Sequence, residues 1–283
     1  IEYEMNMEME MKQNMMGKSM TTHQDQVVGF NQRILGVDED GTINQETEFT
    51  RMGMEMRIEG PEGNEMFSSH YDSDDPDDSD REFENLGEIV GVKTTMRVSP
   101  RGEILEISGW DEAMNKMMAD VPDEMRKQME DMFGEKAMMG WMSEINASYH
   151  DEPVNVGDTW TAENELKSPF PMDLKTEMKL AKINRGSYEI HYQAEVSPPA
   201  DGGAVLDFGP MPMTIELSGT AEGKIFLDRE THMLISMESE HDYDGMMKMD
   251  MSEMEDRPEQ MPETMEIPVE IIQKQRLEGK FVR

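Results

Sequence analysis

Six aspartates crowd around Pro76: Asp72, Asp74, Asp75, Asp77, Asp78 and Asp80. Carboxylate oxygens at this density suit a hard cation, and Ca²⁺ takes roughly six to eight oxygen ligands. The stretch lacks the glycine and the distal glutamate of an EF-hand loop. It therefore reads either as an irregular Ca²⁺ site or as a solvated acidic loop with no apolar content to fold it. Met249, Met251 and Met254 have the spacing of a thioether site for a soft ion such as Cu(I). The histidines (His23, His70, His150, His191, His232 and His241) are scattered. No His-Glu-x-x-His, Gly-x-Ser-x-Gly or phosphate-loop pattern occurs, and carboxylates are too numerous for one acid–base pair to stand out. The absence of cysteine excludes disulfides, thiolate metal sites and cysteine nucleophiles. The expectation is a protein that is not an enzyme, with no catalytic residue and no cofactor beyond Ca²⁺ on the acidic loop.

The elements around these groups are mostly strands. Ile1, Tyr3, Met5, Met7, Met9 and Met11 alternate with polar residues, a period of two that makes one apolar and one acidic face. The same period predicts strands at Gln26–Val37 and Ile43–Ile58, joined by a hairpin at Asp38–Gly41. Further strands follow at Met66–Ser69, at Val92–Val98 and Glu103–Ser108, and after the Val154–Trp160 motif. Beyond it come Met172–Leu180, Tyr188–Val196, a run opening at Met213 and a return arm from Met233 to Met251. That arm either runs unbroken across a wide, twisted sheet or breaks at Asp242–Gly245, with His241-Asp242-Tyr243-Asp244 as a charged turn. Met265–Ile271 and Leu277–Phe281 end the chain as two runs.

Between these strand-rich parts the period changes to three and four. Met114, Met117, Met118 and Val121, then Met125, Met129, Met132 and Phe133, then Met138, Trp141, Met142 and Ile145 predict three short amphipathic helices. The fold class that results is α+β and mostly β. It is a large curled antiparallel sheet of long strands, half-barrel-like, packed over a short-helix segment at about 110–148. It reads as one β-rich domain, 1–283, with two pseudo-repeated halves, 1–109 and 150–283, flanking the helical segment 110–149.

Charge bounds the partners. Against 62 acidic residues stand 26 basic ones, a formal net charge of −36. Such a surface repels nucleic acid and anionic headgroups. No apolar run approaches the ~20 residues a membrane helix needs. The chain opens at Ile1 in mid-strand pattern, which places any leader or lipid-bearing cysteine upstream.

Several features resemble an uncharacterised family of exported, methionine-rich, β-rich bacterial lipoproteins of Bacteroidota-like type. They are the alternating Met5–Met11 and Met52–Met56, the Tyr71-Asp72-Ser73-Asp74 stretch, the Thr95–Gly109 hairpin and the Gly157-Asp158-Thr159-Trp160 core of its motif. The layout is also similar to that of lipoprotein carriers of the LolA and LolB type. The resemblance implies export to the periplasm or to the outer-membrane or cell surface, usually with a lipid anchor.

The functional expectation is an exported binding protein with an apolar or acyl ligand on a methionine-lined concave face. Its lining would be Met52, Met54, Met56, Met114, Met117, Met118, Met125, Met129 and Trp141. Methionine's flexible thioether suits ligands of varied shape, although the same stripes also serve as core. Alternatives are an accessory subunit docking to an envelope protein through strand edges, or a methionine-based soft-metal binder. One consequence of the charge is directly measurable. The Debye length shrinks from about 30 Å at 0.01 M salt to about 3 Å at 1 M, so self-repulsion fades across that range. The melting temperature should rise with NaCl between those limits, and a flat or falling curve contradicts the reading.

Overall fold

The computed structural model describes residues 1–15, 17–118, 150, 152–166, 171–200, 205–207, 212–252 and 262–282, and the isolated positions 126, 130, 134, 135 and 139. In chain order the elements are β1 (Glu2–Met15), β2 (Lys18–Val37), β3 (Ile43–Glu59), β4 (Glu65–Asp72), β5 (Lys93–Val98), β6 (Ile104–Ser108) and α1 (Trp110–Met117). Then follow β7 (Thr159–Leu166), β8 (Met172–Ile183), β9 (Ser187–Ser197), β10 (Val205–Asp207), β11 (Pro212–Asp228), β12 (Leu234–Asp250) and β13 (Thr264–Lys280). Short 3₁₀ segments lie between β4 and β5.

All thirteen strands among the described residues belong to one sheet, ordered β6-β5-β3-β2-β1-β13-β12-β11-β9-β8-β7, with β4 beside β3 and β10 beside β11. Every pairing is antiparallel, and β6 and β7 at the two ends of the path do not pair with each other. The fold is thus mostly β, a large, curled, open antiparallel sheet. No helix among the described residues is long and apolar enough to cross a membrane.

Alternation produces this sheet. On β13, Met265, Ile267, Val269, Ile271 and Leu277 are buried while the even-numbered residues between them are exposed. Hairpins supply the antiparallel links; at the first, Gly41 takes φ +87° and its N–H donates to the Asp38 carbonyl. The middle of the sheet has no such local link. There β1 pairs with β13, from Glu2↔Lys280 to Gln13↔Val269, so the first and last strands join two half-sheets.

Tyr3 fastens this seam. A Cβ at Gly279, its partner in register, would lie 2.5 Å from the Tyr3 ring, so only glycine admits the ring there. The Tyr3 hydroxyl donates to the Leu234 carbonyl on β12 (2.8 Å), and the ring stacks on Phe30 of β2 at 5.1 Å. One side chain therefore links β2, β1, β13 and β12.

Several elements differ from the sequence expectation. β2 begins at Lys18, eight positions before the predicted Gln26, because it follows its partner β1 back to the Met15↔Lys18 pair. β12 runs unbroken through Asp242–Gly245, the longer of the two readings its pattern allowed and not the one with a break. His241 and Tyr243 point to the buried face and Asp242 and Asp244 to the exposed one, so an apparent charged turn is ordinary alternation. β13 likewise spans what the sequence split into two runs. α1 confirms the start of the helical segment: Trp110, Ala113, Met114 and Met118 are buried in one cluster with Ile89, Met96, Val98, Ile104 and Ile107. Apart from the isolated positions 126, 130, 134, 135 and 139, the second and third predicted helices lie outside the described residues.

Candidate functional site

The strand pairings place the odd-numbered residues of β1, β13, β12 and β11, the even-numbered residues of β9, and those of β8 as far as Leu180, where a bulge shifts the register and turns Lys182 to the other side, on one face. On β1 these are Tyr3, Met5, Met7, Met9, Met11 and Gln13; on β13 they run from Met265 to Gly279; on β12 from Met237 to Met249. Across all six strands none of these inner positions is Asp, Glu, Lys or Arg. The opposite face of the same strands carries the charge, for example Glu4, Glu8, Lys12, Glu238, Glu240, Lys274 and Arg276. Burying an unpaired charge costs several kcal/mol, so segregation this complete fixes which face is solvated.

The inner face is apolar at both ends. One end holds Leu174, Val196, Ile215, Leu217, Tyr243, Met265, Ile267, Val269 and Ile271, with Met9, Met11, Met247 and Met249 half-buried against them. The other holds Trp160, Met178, Leu180, Ile190, Ile225, Leu227, Met237 and Leu277, with Tyr3. Between them runs a belt of small and uncharged polar residues. In register it reads His241–Gln273–Met9–Gln24 and, one row on, Ser239–Gln275–Met7–Gln26.

His241 lies in the middle of a buried polar network. Its Nδ1 is 2.6 Å from the Tyr243 hydroxyl and its Nε2 is 3.0 Å from the Ser239 hydroxyl. A neutral imidazole donates at one nitrogen and accepts at the other, so it satisfies both neighbours. Burial pushes its pKa down to about 4. A hydroxyl at this distance from an imidazole is the spacing of an activated nucleophile. Here Ser239 is only 7 % exposed, and the contact satisfies buried polar groups.

The methionines expected as lining divide. Met52, Met114 and Met118 are packed in one buried cluster with Met96, Ile107 and Trp110. Met54 and Met56 are half-buried on β3, in register with Gln26 and Gln24. The backbone of Met117 is in α1, while Met125, Met129 and Trp141 lie outside the described residues. The half-exposed inner methionines thus include Met54 and Met56 together with Met7, Met9, Met11, Met247 and Met249. Period alone distinguishes the faces but not which part of the inner face is covered. The glutamines were detectable in principle, as uncharged polar residues in phase with apolar runs.

The acidic loop has more structure than its composition suggests. Asp72 receives Arg51 Nη2 at 2.7 Å and Nε at 3.3 Å, and Asp74 lies 3.3 Å from the same Nε. Arg51's hydrogen bond holds the Asp72 carboxyl below its ordinary pKa. Asp80 accepts the His70 N–H at 2.8 Å, and the Ser79 hydroxyl donates to the Asp75 carbonyl at 2.9 Å. Asp75 and Asp77 are exposed, and Asp77 and Asp78 belong to a 3₁₀ segment, Pro76–Asp78. Among the described residues no group of three or more His, Asp or Glu side chains is placed to hold a metal ion. Of the thioether triplet, Met249 is half-buried, Met251 is buried and Met254 lies outside the described residues.

The charged face has a groove of about 900 Å³ between β8 and β1, lined by Glu8, Glu177, Lys179, His191, Glu222, Lys224, Glu238, Glu240, Lys274 and Arg276. Its cations face glutamates across the strands, as in Lys274–Glu240 at 3.9 Å and Arg276–Glu238 at 3.9 Å. These are exposed pairs of small energetic weight.

The family model of a family of unknown function (DUF6263) matches residues 40–234. No curated protein matches the chain. A solved structure titled "Lipid-protein interactions in lipovitellin" is similar at a TM-score of 0.49 and 9 % identity, over 98 % of this chain and 25 % of that one. This chain therefore spans about a quarter of that one.

The buried imidazole has a measurable pH signature. Unfolded, His241 takes a proton near pH 6.5; folded, it resists until about pH 4. Between these values the unfolded state binds the extra proton, so stability falls as pH drops through the window and levels off below it. The shift corresponds to about 3 kcal/mol. Denaturant titrations of His241→Asn should lose this part of the pH 6.5-to-4 slope; an unchanged slope contradicts the assignment.

Proposed function

This chain belongs to the family of unknown function DUF6263, so no activity passes to it from relatives, and we propose from its geometry a non-enzymatic binding protein that holds an apolar or acyl ligand on its inner face. One observation carries the reading. A chain with 62 acidic and 26 basic residues keeps every charge off the inner positions of six adjacent strands, yet leaves methionines there half-exposed. A fully packed core would bury those thioethers as it buries Met52 and Met114. An uncharged surface lined by flexible, polarizable side chains gains free energy by covering itself with an apolar molecule, at about 25 cal/mol per Å² removed from water.

The lining in this reading is Met7, Met9, Met11, Met54, Met56, Met247 and Met249. Export and attachment at the cell envelope belong to the same proposal and rest on the resemblance of the Val154–Trp160 motif and the alternating methionine strands.

The test is direct. Protein purified without detergent is extracted into organic solvent and analysed by mass spectrometry, and the stripped protein is titrated with Nile red. We expect co-purified apolar material and saturable dye fluorescence. Met9→Glu, which puts a charge on the inner face, should weaken the dye at least tenfold while the far-UV circular dichroism stays unchanged. Ligand-free protein that leaves Nile red dark would refute the proposal.

A further inference from the structure

We infer that the ligand is an uncharged lipid with a central ester, amide or hydroxyl group and apolar arms on both sides, and not a fatty acid or phospholipid. This rests on the binding role proposed above and deepens it. The first argument is charge. A carboxylate or phosphate head taken onto this face would meet no Lys or Arg at any inner position of β1, β13, β12, β11, β9 or β8. His241, the one titratable base there, is buried between Ser239 and Tyr243 and already bonded to both. The cations of the sheet, Lys274 and Arg276 among them, stand on the opposite face and pair with glutamates. Desolvating an anionic head without a partner is costly, so the face discriminates against it.

The second argument is the belt. Gln24, Gln26, Gln273 and Gln275 are half-buried in the middle of an otherwise apolar face. Gln275 donates to the Met5 sulfur at 2.9 Å, a weak acceptor, which leaves its carbonyl open. The amides of Gln24, Gln26 and Gln273 have no hydrogen-bond partner among the described residues. Each glutamine offers both donor and acceptor, the pattern that serves a neutral polar group.

The third argument is placement. Along β13 the order is Ile267, Val269 and Ile271, then Gln273 and Gln275, then Leu277. Along β12 it is Met249 and Met247, then Tyr243, His241 and Ser239, then Met237. Two rows of the belt are separated by roughly 7 Å, the repeat of alternate residues on a strand, which accommodates one ester or glycerol unit. Half-buried apolar side chains continue from it in both directions, Met11, Met247 and Met249 on one side and Met5 and Phe30 on the other, so a ligand with its polar group in the middle fits where one with a terminal head does not.

The experiment uses the full chain and competition against Nile red by four probes of matched acyl length. They are dioctanoylglycerol, dioctanoyl phosphatidate, octanoate and hexadecane. We expect dioctanoylglycerol to displace the dye at least tenfold more tightly than each of the other three. The Gln273→Leu/Gln275→Leu double variant should narrow its advantage over hexadecane at least tenfold, with hexadecane unchanged or tighter. Equal binding of hexadecane and dioctanoylglycerol to the unaltered protein overturns this inference and leaves the binding role standing. Preference for phosphatidate or octanoate also overturns it. If the dye binds nothing and no probe acts, the binding role fails and this inference with it. The comparison on the unaltered protein decides without the variant, so a variant that misfolds does not obscure the outcome.

Discussion

The pairing of β1 with β13 is the interaction on which the rest of the sheet depends. It brings together segments at opposite ends of the chain, from Glu2↔Lys280 to Gln13↔Val269. On one side lie β2, β3, β5 and β6, on the other β12, β11, β9, β8 and β7, and each half is assembled largely by neighbouring hairpins. Closing a loop of this size costs about 5 kcal/mol of chain entropy, which the seam must offset. It does so with strand hydrogen bonds, with buried Leu277 and with the Tyr3 clamp over Gly279. Because the side-chain period is two, a one-residue slip here would turn Glu4, Glu8 and Lys274 onto the apolar face. Register and face are therefore one constraint.

That constraint explains the composition. Methionine and aliphatic residues fill one phase of the strands; aspartate and glutamate fill the other. The outer face tolerates its crowding of like charge because water and salt screen it, whereas a single carboxylate moved inward would have neither screening nor partner. The polar groups that do occur inside are uncharged or held neutral. Burial keeps His241 unprotonated, and its bonds to Ser239 and Tyr243 satisfy the network without introducing charge. The proposed binding role and the stability draw on the same feature, a face kept free of charge throughout.

Much of this was legible in the residues alone. The alternations at Met5–Met11 and Met265–Ile271 announce strands and assign their faces, and Trp110, Met114 and Met118 announce a helix against the core. What escaped reading has physical causes. Asp242 to Gly245 has the composition of a turn, and only the partners β11 and β13 on either side keep it extended. The acidic loop owes its shape to Arg51, which is twenty-one residues from Asp72 in sequence and carries no local mark of that role. The β1–β13 seam has no hairpin and no turn signal, so strand order was not legible at all. Period also failed to separate Met52, which is fully packed, from Met54 and Met56 on the same strand, because cover is a tertiary property.

Native-state hydrogen exchange, resolved by strand, tests the seam most directly. Local opening frees amides near sheet edges cheaply, while amides at the point that joins the two halves exchange only when the whole sheet unfolds. The account predicts that the paired amides of β1 and β13 are among the slowest in the protein, with an opening free energy equal to that of global unfolding. Exchange of β1 and β13 at a free energy well below that of β2–β3 and β11–β12 would contradict it, because the halves would then be stable without the pairing that is held here to join them.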